Sequence, residues 1–428
     1  MSAEPIGTAK LAVQARVPDS RRWSTVILLF VAVVINYMDR GNLSVAAAPA
    51  MRDLGIAPSA MGTLLSAFFW TYALFQIPGG YLTDRYGLRW TYAAGFLLWS
   101  LGAAAIGLAH SFGQILALRL VLGVGEAIAI PAGMAYIRRN FLPHEQGLPI
   151  GIFASGAMVG PAVGALLSGF LLDRIGWRAI FVLTGLGGCL WLIPWLLMAP
   201  NEEVRPAQPA NSSGVGKLPF PWNALIRNRL PWGITIGVFF YQYSFYFCLT
   251  WLPAYLVMAR RLSYLRMGTF TGLPLLVMAA VSMLGGRLSD RCAIRFGRPL
   301  VVRRSFVAGG MLLASVLILL LFLTSPAALF ATLVVSFIGI GFAGTNYWAL
   351  TQLVSPEDVI GRVVGYQNTI GNVAGICAPL LTGLLVARAG SFQAAIVVAA
   401  GSFVLGAITY LVLIREVDYR ELQRHLGS

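Results

Sequence analysis

Twelve apolar runs of about twenty residues each follow one another from Trp23 to Ile414, and they limit what this chain can fold into more than any other feature. Twenty helical residues rise about 30 Å, the thickness of a hydrocarbon core, and in lipid each crossing must satisfy its own backbone hydrogen bonds. The runs cover 24–48, 59–82, 91–110, 112–136, 149–171, 179–198, 231–257, 267–286, 305–324, 327–353, 363–386 and 391–414. Only 11% of residues are charged, against about 25% in soluble proteins, and mean hydropathy is +0.76. The expectation is an all-α integral membrane protein with twelve transmembrane helices.

A net charge of +15 would suggest nucleic acid in a soluble chain, so the placement of the 31 Lys and Arg decides. With both termini set in the cytoplasm, 22 of them lie in cytoplasmic segments, seven lie outside, and Arg40 and Arg119 are inside the apolar runs. This is the positive-inside pattern; it sets the orientation and excludes a nucleic-acid partner. The external Arg260, Arg261 and Arg266 stand apart, either as snorkelling helix ends or as a funnel for anions. Cys189, Cys248, Cys292 and Cys377 have no metal or disulfide spacing, so no cofactor or metal is expected. The run Val45-Ala-Ala-Ala-Pro-Ala50 faintly resembles a signal-peptidase site, but Asp39-Arg40 interrupts the hydrophobic stretch before it, and it reads as part of the first span.

Residues 199–230 are rich in Pro, Asn, Ser, Gly and charge, which is linker composition. They divide the chain into a tail 1–22, a six-helix unit 23–198, a cytoplasmic linker 199–230, a second six-helix unit 231–414 and a tail 415–428. The two units echo each other. Gly80-Tyr-Leu-Thr-Asp84-Arg85 recurs 206 residues on as Gly286-Arg-Leu-Ser-Asp290-Arg291, and Ser168-Gly169 through Gly176 recurs 214 residues on as Thr382-Gly383 through Gly390. A duplicated six-helix unit is the architecture in which cargo binds at mid-membrane between two rocking bundles.

Four charges inside the runs carry the chemistry: Asp39 with Arg40, and Arg119 with Glu126. Each costs about 2.5–3.5 kcal/mol at mid-membrane on the insertion scale, so their retention points to use. On the first helix Asn36, Tyr37, Asp39, Arg40 and Ser44 share an arc of about 160 degrees, which should line a cavity. Arg119 and Glu126 lie two turns, roughly 10 Å, apart on one face of the fourth helix, able to share that cavity but not a direct bond unless the side chains bend together. A purely structural alternative has each Arg neutralising a carboxylate, but apolar residues do that job more cheaply. The functional reading is competition: burial favours the protonated carboxyl, a guanidinium favours the charged one, and a substrate carboxylate contends for the same Arg. Asp39 would then release Arg40 when it takes a proton, and Glu126 would supply a second proton with Arg119 tuning it. Two protons with one monovalent anion would carry positive charge inward.

Further polar faces fall on span seven (Gln242, Tyr243, Tyr246, Thr250), span ten (Thr345, Trp348, Gln352) and span eleven (Asn368, Asn372). Their aromatics serve packing as readily as binding, whereas amides in lipid need partners. No phosphate-binding loop supports ATP-driven transport, and the histidines, His110, His144 and His425, sit in loops or tails, so an enzyme is not expected.

Gly80-Tyr-Leu-Thr-Asp84-Arg85-Tyr-Gly87-Leu-Arg89 resembles the cytoplasmic loop motif of the major facilitator superfamily, and the second copy carries four extra residues before Gly297-Arg298. The resemblance implies two pseudo-symmetric six-helix bundles with both termini cytoplasmic. Gly80, Asp84, Arg85, Arg89, Asp290 and Arg291 are then expected to form a conformational latch whose charge-assisted bonds break as the bundles rock. Asn36-Tyr-Met-Asp39-Arg40-Gly-Asn-Leu-Ser44 is similar to the first-span signature of the anion:cation symporter branch, which includes bacterial carriers of galactonate, glucarate, hexuronate and phthalate. Further matches are Leu118 to Ala127, Leu249 to Leu256 and Gly371 to Pro379. By that resemblance the chain would be a proton-coupled symporter of a small organic anion in the bacterial inner membrane, working as a monomer. Arg40 would hold the carboxylate, Tyr37, Tyr72 and Asn372 would touch the substrate, and Asp39 and Glu126 would carry protons. Two features qualify the cargo. Ala157 stands where sugar-acid carriers lead one to expect an amide, which suggests a less hydroxylated anion. Gly160-Pro161-Ala-Val-Gly164 is close to a motif of superfamily exchangers, keeping antiport as an alternative to a packing role for these glycines. A channel or a transporter-like sensor is the third class, set apart by its inability to concentrate cargo.

Overall fold

The computed structural model describes residues 19–142, 145–200, 229–355 and 360–420, and all regular structure among them is helical. In chain order the helices are α1 (Asp19–Leu54), α2 (Pro58–Tyr86), α3 (Leu88–Ile106), α4 (Phe112–Glu126), α5 (Ala129–Asn140), α6 (Gly147–Cys189) and α7 (Leu192–Met198). After the gap come α8 (Arg229–Thr250), α9 (Leu252–Met258), α10 (Tyr264–Phe296), α11 (Pro299–Ala314) with a 3-10 turn at Ser315–Leu321, α12 (Pro326–Val354), α13 (Ile360–Ala389) and α14 (Gln393–Leu413). Most of the expected linker 199–230 and of both tails, with His144 and His425, lies outside the described residues.

Each expected apolar run falls on helix. Among the described residues nine helical stretches are long and apolar enough to cross a membrane; α3 and the α8–α9 pair, on the runs 91–110 and 231–257, fall short of that measure. One of the nine, 147–198, spans two runs. At 43 residues α6 would rise about 65 Å if straight, but Gly176, at φ 74 and ψ 168, turns the chain back between the fifth and sixth runs. The fourth run breaks after Glu126 and the seventh at Trp251, where Pro253 in the first turn of α9 cannot continue the hydrogen-bond ladder of α8.

Within the first half α1 packs on α6, and α3 lies against α4 and α6; in the second, α11 lies against α12, and α8 against α13 and α14. The halves meet through α6 with α10 and α2 with α13. These two contacts are one contact made twice. A Cβ on Gly268 would stand 2.5 Å from the Ala165 carbonyl oxygen and 2.9 Å from the Gly169 Cα; one on Gly383 would stand 2.6 Å from the Pro58 carbonyl oxygen and 3.0 Å from the Gly62 Cα. Gly62 and Gly268 are 206 residues apart, Gly169 and Gly383 are 214 apart, so both sequence echoes act on the same backbone crossing. Both pairs lie at the end expected to face outside, where Arg52 also donates to the Tyr264 hydroxyl at 2.8 Å.

Small residues also set the α1–α6 packing. Gly156, Gly160 and Gly164 recur every four residues and receive Val33, Tyr37 and Met38 of α1. The Gly-Pro segment that resembled an exchanger motif therefore lets two backbones approach. Gly160→Leu, whose Cβ would stand 2.6 Å from the Val34 carbonyl oxygen, is expected to cost about 1–3 kcal/mol of stability. Thermal unfolding in detergent should put its midpoint below that of Gly151→Ala, a site with open space around it.

Candidate functional site

Between the halves lies a cavity of about 490 Å³, walled by α1, α2, α4 and α6 on one side and by α8, α9, α10, α12 and α13 on the other. Of its lining residues only Arg40 and Arg119 are charged. The wall is therefore cationic, and everything else on it is neutral.

Arg40 reaches this wall from the middle of α1. Its guanidinium carbon lies 4.4 Å from the Tyr37 ring centroid, 4.6 Å from Phe68 and 4.3 Å from Tyr72, so the cation stands among three rings. Its charge partner is Glu126: Nε donates to Oε2 at 2.5 Å, and Glu126 is fully buried. This corrects the expected pairing of Asp39 with Arg40; Arg119 and Glu126, expected to share the cavity without a direct bond, are divided by it, Arg119 on the lining and Glu126 buried outside it. Neighbours in sequence on a helix point about 100 degrees apart, so Arg40 faces the cavity while Asp39 turns away from it.

The polar arc of α1 is accordingly split. Tyr37, Arg40 and Ser44 line the cavity, whereas Asn36, Asp39 and Asn42 are each 1% exposed and lie outside its lining. Asn42 ties Asp39 to α6: its Nδ2 donates to Thr184 Oγ1 at 2.9 Å and to Asp39 Oδ1 at 3.3 Å, and its Oδ1 accepts from Ser168 at 3.3 Å. An arc as wide as 160 degrees cannot fit one cavity, and its far edge is buried where α6 packs close enough to bond it. The expected release of Arg40 by Asp39 has no contact to act through.

On α4, Arg119 lines the cavity but does not bond Glu126, in keeping with their two-turn separation. Its Nε donates to the Leu64 carbonyl of α2 at 3.3 Å, and its guanidinium lies 5.4 Å from the Phe68 ring. Glu126 closes α4 where the helix breaks, which frees it to reach across to α1.

Across the cavity Gln242 and Tyr246 of α8 line the wall as expected, and Tyr246 meets Phe69 of the opposite half edge to face at 4.8 Å. Tyr243 does not: it packs with Ala374 and Ala378 of α13, since the cavity takes only one edge of the α8 arc. Tyr72 is buried behind the wall, stacked on Phe68 at 5.1 Å. Thr345 and Trp348 line the cavity, but Gln352 lies a turn further on, exposed and outside the lining. On α13 it is Asn368, bonded to Gln76 across the halves at 2.9 Å, that reaches the cavity; Asn372 is buried outside it.

The expected latch residues sit at helix ends but act within each half. Asp84 pairs with Arg139 of α5, Asp290 with Arg303 of α11 at 2.5 Å, and Arg89 donates to the Leu196 carbonyl. Arg85 reaches Tyr81 at 3.4 Å, Arg291 is exposed, and a Cβ on Gly80 would meet only Pro131. Each of these bonds joins groups of one half, and none of them crosses between the halves. Arg260 bonds the Tyr255 hydroxyl at 2.5 Å and the Leu320 carbonyl, which makes it a brace at a helix end and not a funnel. Among the described residues no three His, Cys, Asp or Glu side chains come together, and all four cysteines are free.

Phe68, Thr184 and Gln76 were not foreseen. Phe68 stands one turn before Tyr72 on α2, a spacing that was legible; the Thr184 contact required knowing that Gly176 folds α6 back.

The chain matches the Major Facilitator Superfamily over residues 29–379. It is 33% identical to the probable galactarate/D-glucarate transporter GudP of Bacillus subtilis (strain 168), over 92% of this chain and 92% of that one. It is 31% identical to the hexuronate transporter of the same organism, covering 92% and 94%. It is also 30% identical to the D-galactonate transporter of Escherichia coli O6:H1, covering 95% and 99%. A bacterial homologue of the human lysosomal transporter Spinster, solved in an inward-facing and unoccupied conformation, superposes with a TM-score of 0.76 at 20% identity, covering 95% and 98%. The chain belongs to the major facilitator superfamily: it is a transporter and not an enzyme, a multi-pass integral protein of the bacterial inner membrane.

Asn42→Ala should leave both Asp39 and Thr184 short of a partner in the interior of the first half, at a cost of about 1–3 kcal/mol. Unfolding in mixed micelles reads that loss, and Thr184→Val should reproduce part of it.

Proposed function

We propose that the protein is a proton-coupled symporter of a small organic anion that works by alternating access between bundles 23–198 and 231–414. The observation that carries this is the Arg40–Glu126 pair at the cavity wall. Glu126 takes only Nε of Arg40, and Nη2 has no hydrogen-bond partner among the described residues, so a substrate carboxylate has donors to bond. Beside a charged Glu126 it would put two anions on one buried cation, and a proton on Glu126 removes that excess charge. Anion and proton therefore bind together. The reading gains support from relatives named as carriers of sugar acids and a hexuronate.

Asp39 is the second proton site in this account, coupled to α6 through Asn42 and not to Arg40 directly. Two protons with a monovalent anion would move one net positive charge, assisted by about 2.3 kcal/mol per 100 mV. With both termini cytoplasmic, as the charge pattern favours, the glycine crossings would close the outer end. Rocking would open the crossings while the Asp84–Arg139 and Asp290–Arg303 pairs keep each half rigid. One chain contains the whole pathway, so it functions as a monomer.

Glu126→Gln tests the coupling. It should bind anions from a panel of sugar and aromatic acids as well at neutral as at acidic pH. The wild type should gain affinity on acidification, approaching about tenfold per pH unit where Glu126 is charged. In proteoliposomes the variant should exchange anion but lose accumulation driven by a pH gradient. An unaltered pH dependence in Glu126→Gln would sink the assignment.

A further inference from the structure

The second copy of the loop motif is four residues longer than the first, and the transport reading gives those residues no part. Four residues are about one helical turn, and α10 takes them as helix. It runs six residues past Asp290 to Phe296, whereas α2 ends two residues past Asp84 at Tyr86.

The added turn completes a row of arginines. Arg287, Arg291 and Arg295 stand four residues apart, all exposed, and share with the exposed Leu284 and Leu288 an arc of about 100 degrees. The opposite face of α10 is packed: Ser282 donates to the Gly341 carbonyl of α12 at 3.4 Å, and Ser289 accepts from Arg303 of α11 at 3.0 Å. The row therefore points away from the protein. Asp290, the nearest carboxylate in sequence, is taken by Arg303 at 2.5 Å. Arg298 and Arg304, beyond the row, stand near Glu416. Among the described residues none of Arg287, Arg291 and Arg295 has an ion pair, a hydrogen bond or a ring partner.

Their depth matters as much as their charge. The apolar run ends at Gly286, so Arg287 is the first residue past the hydrocarbon, with Arg291 about 6 Å further out and Arg295 about 6 Å beyond that. A headgroup layer is about 5–7 Å deep on each side. Arg287 and Arg291 thus bracket it, and Arg295 reaches back from its margin. A free phosphate would meet these arginines alone. A phospholipid would also lay a chain on Leu284 and Leu288, which carry the same row into the bilayer. The first half has no counterpart, since Tyr81 stands in the place of Arg287 and Arg85 is bonded to it.

We infer that this row binds one anionic phospholipid, its phosphate between Arg287 and Arg291, its headgroup under Arg295 and its chain along Leu284 and Leu288. The inference depends on neither the cargo nor the proton sites.

The test is native mass spectrometry of the full chain in detergent, titrated with phosphatidylglycerol or phosphatidylcholine. The wild type should bind phosphatidylglycerol in preference, and Arg291→Gln should weaken that binding about fivefold. The triple variant R287Q/R291Q/R295Q should weaken it about a hundredfold while keeping the wild-type unfolding midpoint in detergent without added lipid. A control that loses the same charge at other exposed sites, R138Q/R261Q/R266Q, should bind as the wild type does. Undiminished phosphatidylglycerol binding in the triple variant would overturn the inference, as would an equal loss in the control, which would mean attraction to net charge. Equal binding of the two lipids, or displacement of phosphatidylglycerol by inorganic phosphate at equal concentration, would overturn it too.

Discussion

One buried ion pair, Arg40 with Glu126, gives the rest of the structure its purpose. Removing one partner of such a pair commonly costs about 3–5 kcal/mol, because the other charge is left in a medium that cannot solvate it. A transporter gains from that intolerance. With the guanidinium enclosed by the rings of Tyr37, Phe68 and Tyr72, water is a poor substitute partner, and only a second carboxylate or a proton on the first resolves the competition. The break between α4 and α5 serves this arrangement, since it places Glu126 at a helix end from which it can reach α1.

Around this pair the fold is divided into parts that should stay rigid and parts that should separate. Inside each half, glycines at every fourth residue and the ion pairs at helix ends join helices closely. Between halves, the crossings of Gly62 with Gly383 and of Gly169 with Gly268 bring backbone against backbone, with one exposed side-chain bond beside them, from Arg52 to the Tyr264 hydroxyl. Contacts of that kind are tight when made and leave no buried charge when broken, which suits the rocking proposed for the two halves.

Much of this was legible in the sequence. The twelve runs, the repeat and the four intramembrane charges could be read because lipid imposes length and charge rules that soluble folds escape. The repeat reached further than its motifs suggested, since the shifts of 206 and 214 residues pair Gly62 with Gly268 and Gly169 with Gly383 in space. Who pairs with whom was not legible. Helical angles place Asp39 and Arg40 on one broad arc, but which edge of the arc meets a cavity depends on how close α6 comes. That distance is set by Gly156, Gly160 and Gly164, not by α1 itself. Tyr243 and Gln352 failed for the same reason: an arc drawn from periodicity has no inner edge until its neighbours are known.

The central claim is that anion binding at Arg40 requires a proton on Glu126. The most direct measurement is proton uptake when anion binds to the purified protein in weakly buffered nanodiscs, followed potentiometrically across pH. The account predicts net uptake of about one proton per anion through Glu126, and up to about two where Asp39 is also charged in the free protein, falling away as the solution is acidified. Saturating anion binding with no proton uptake at any pH would contradict it.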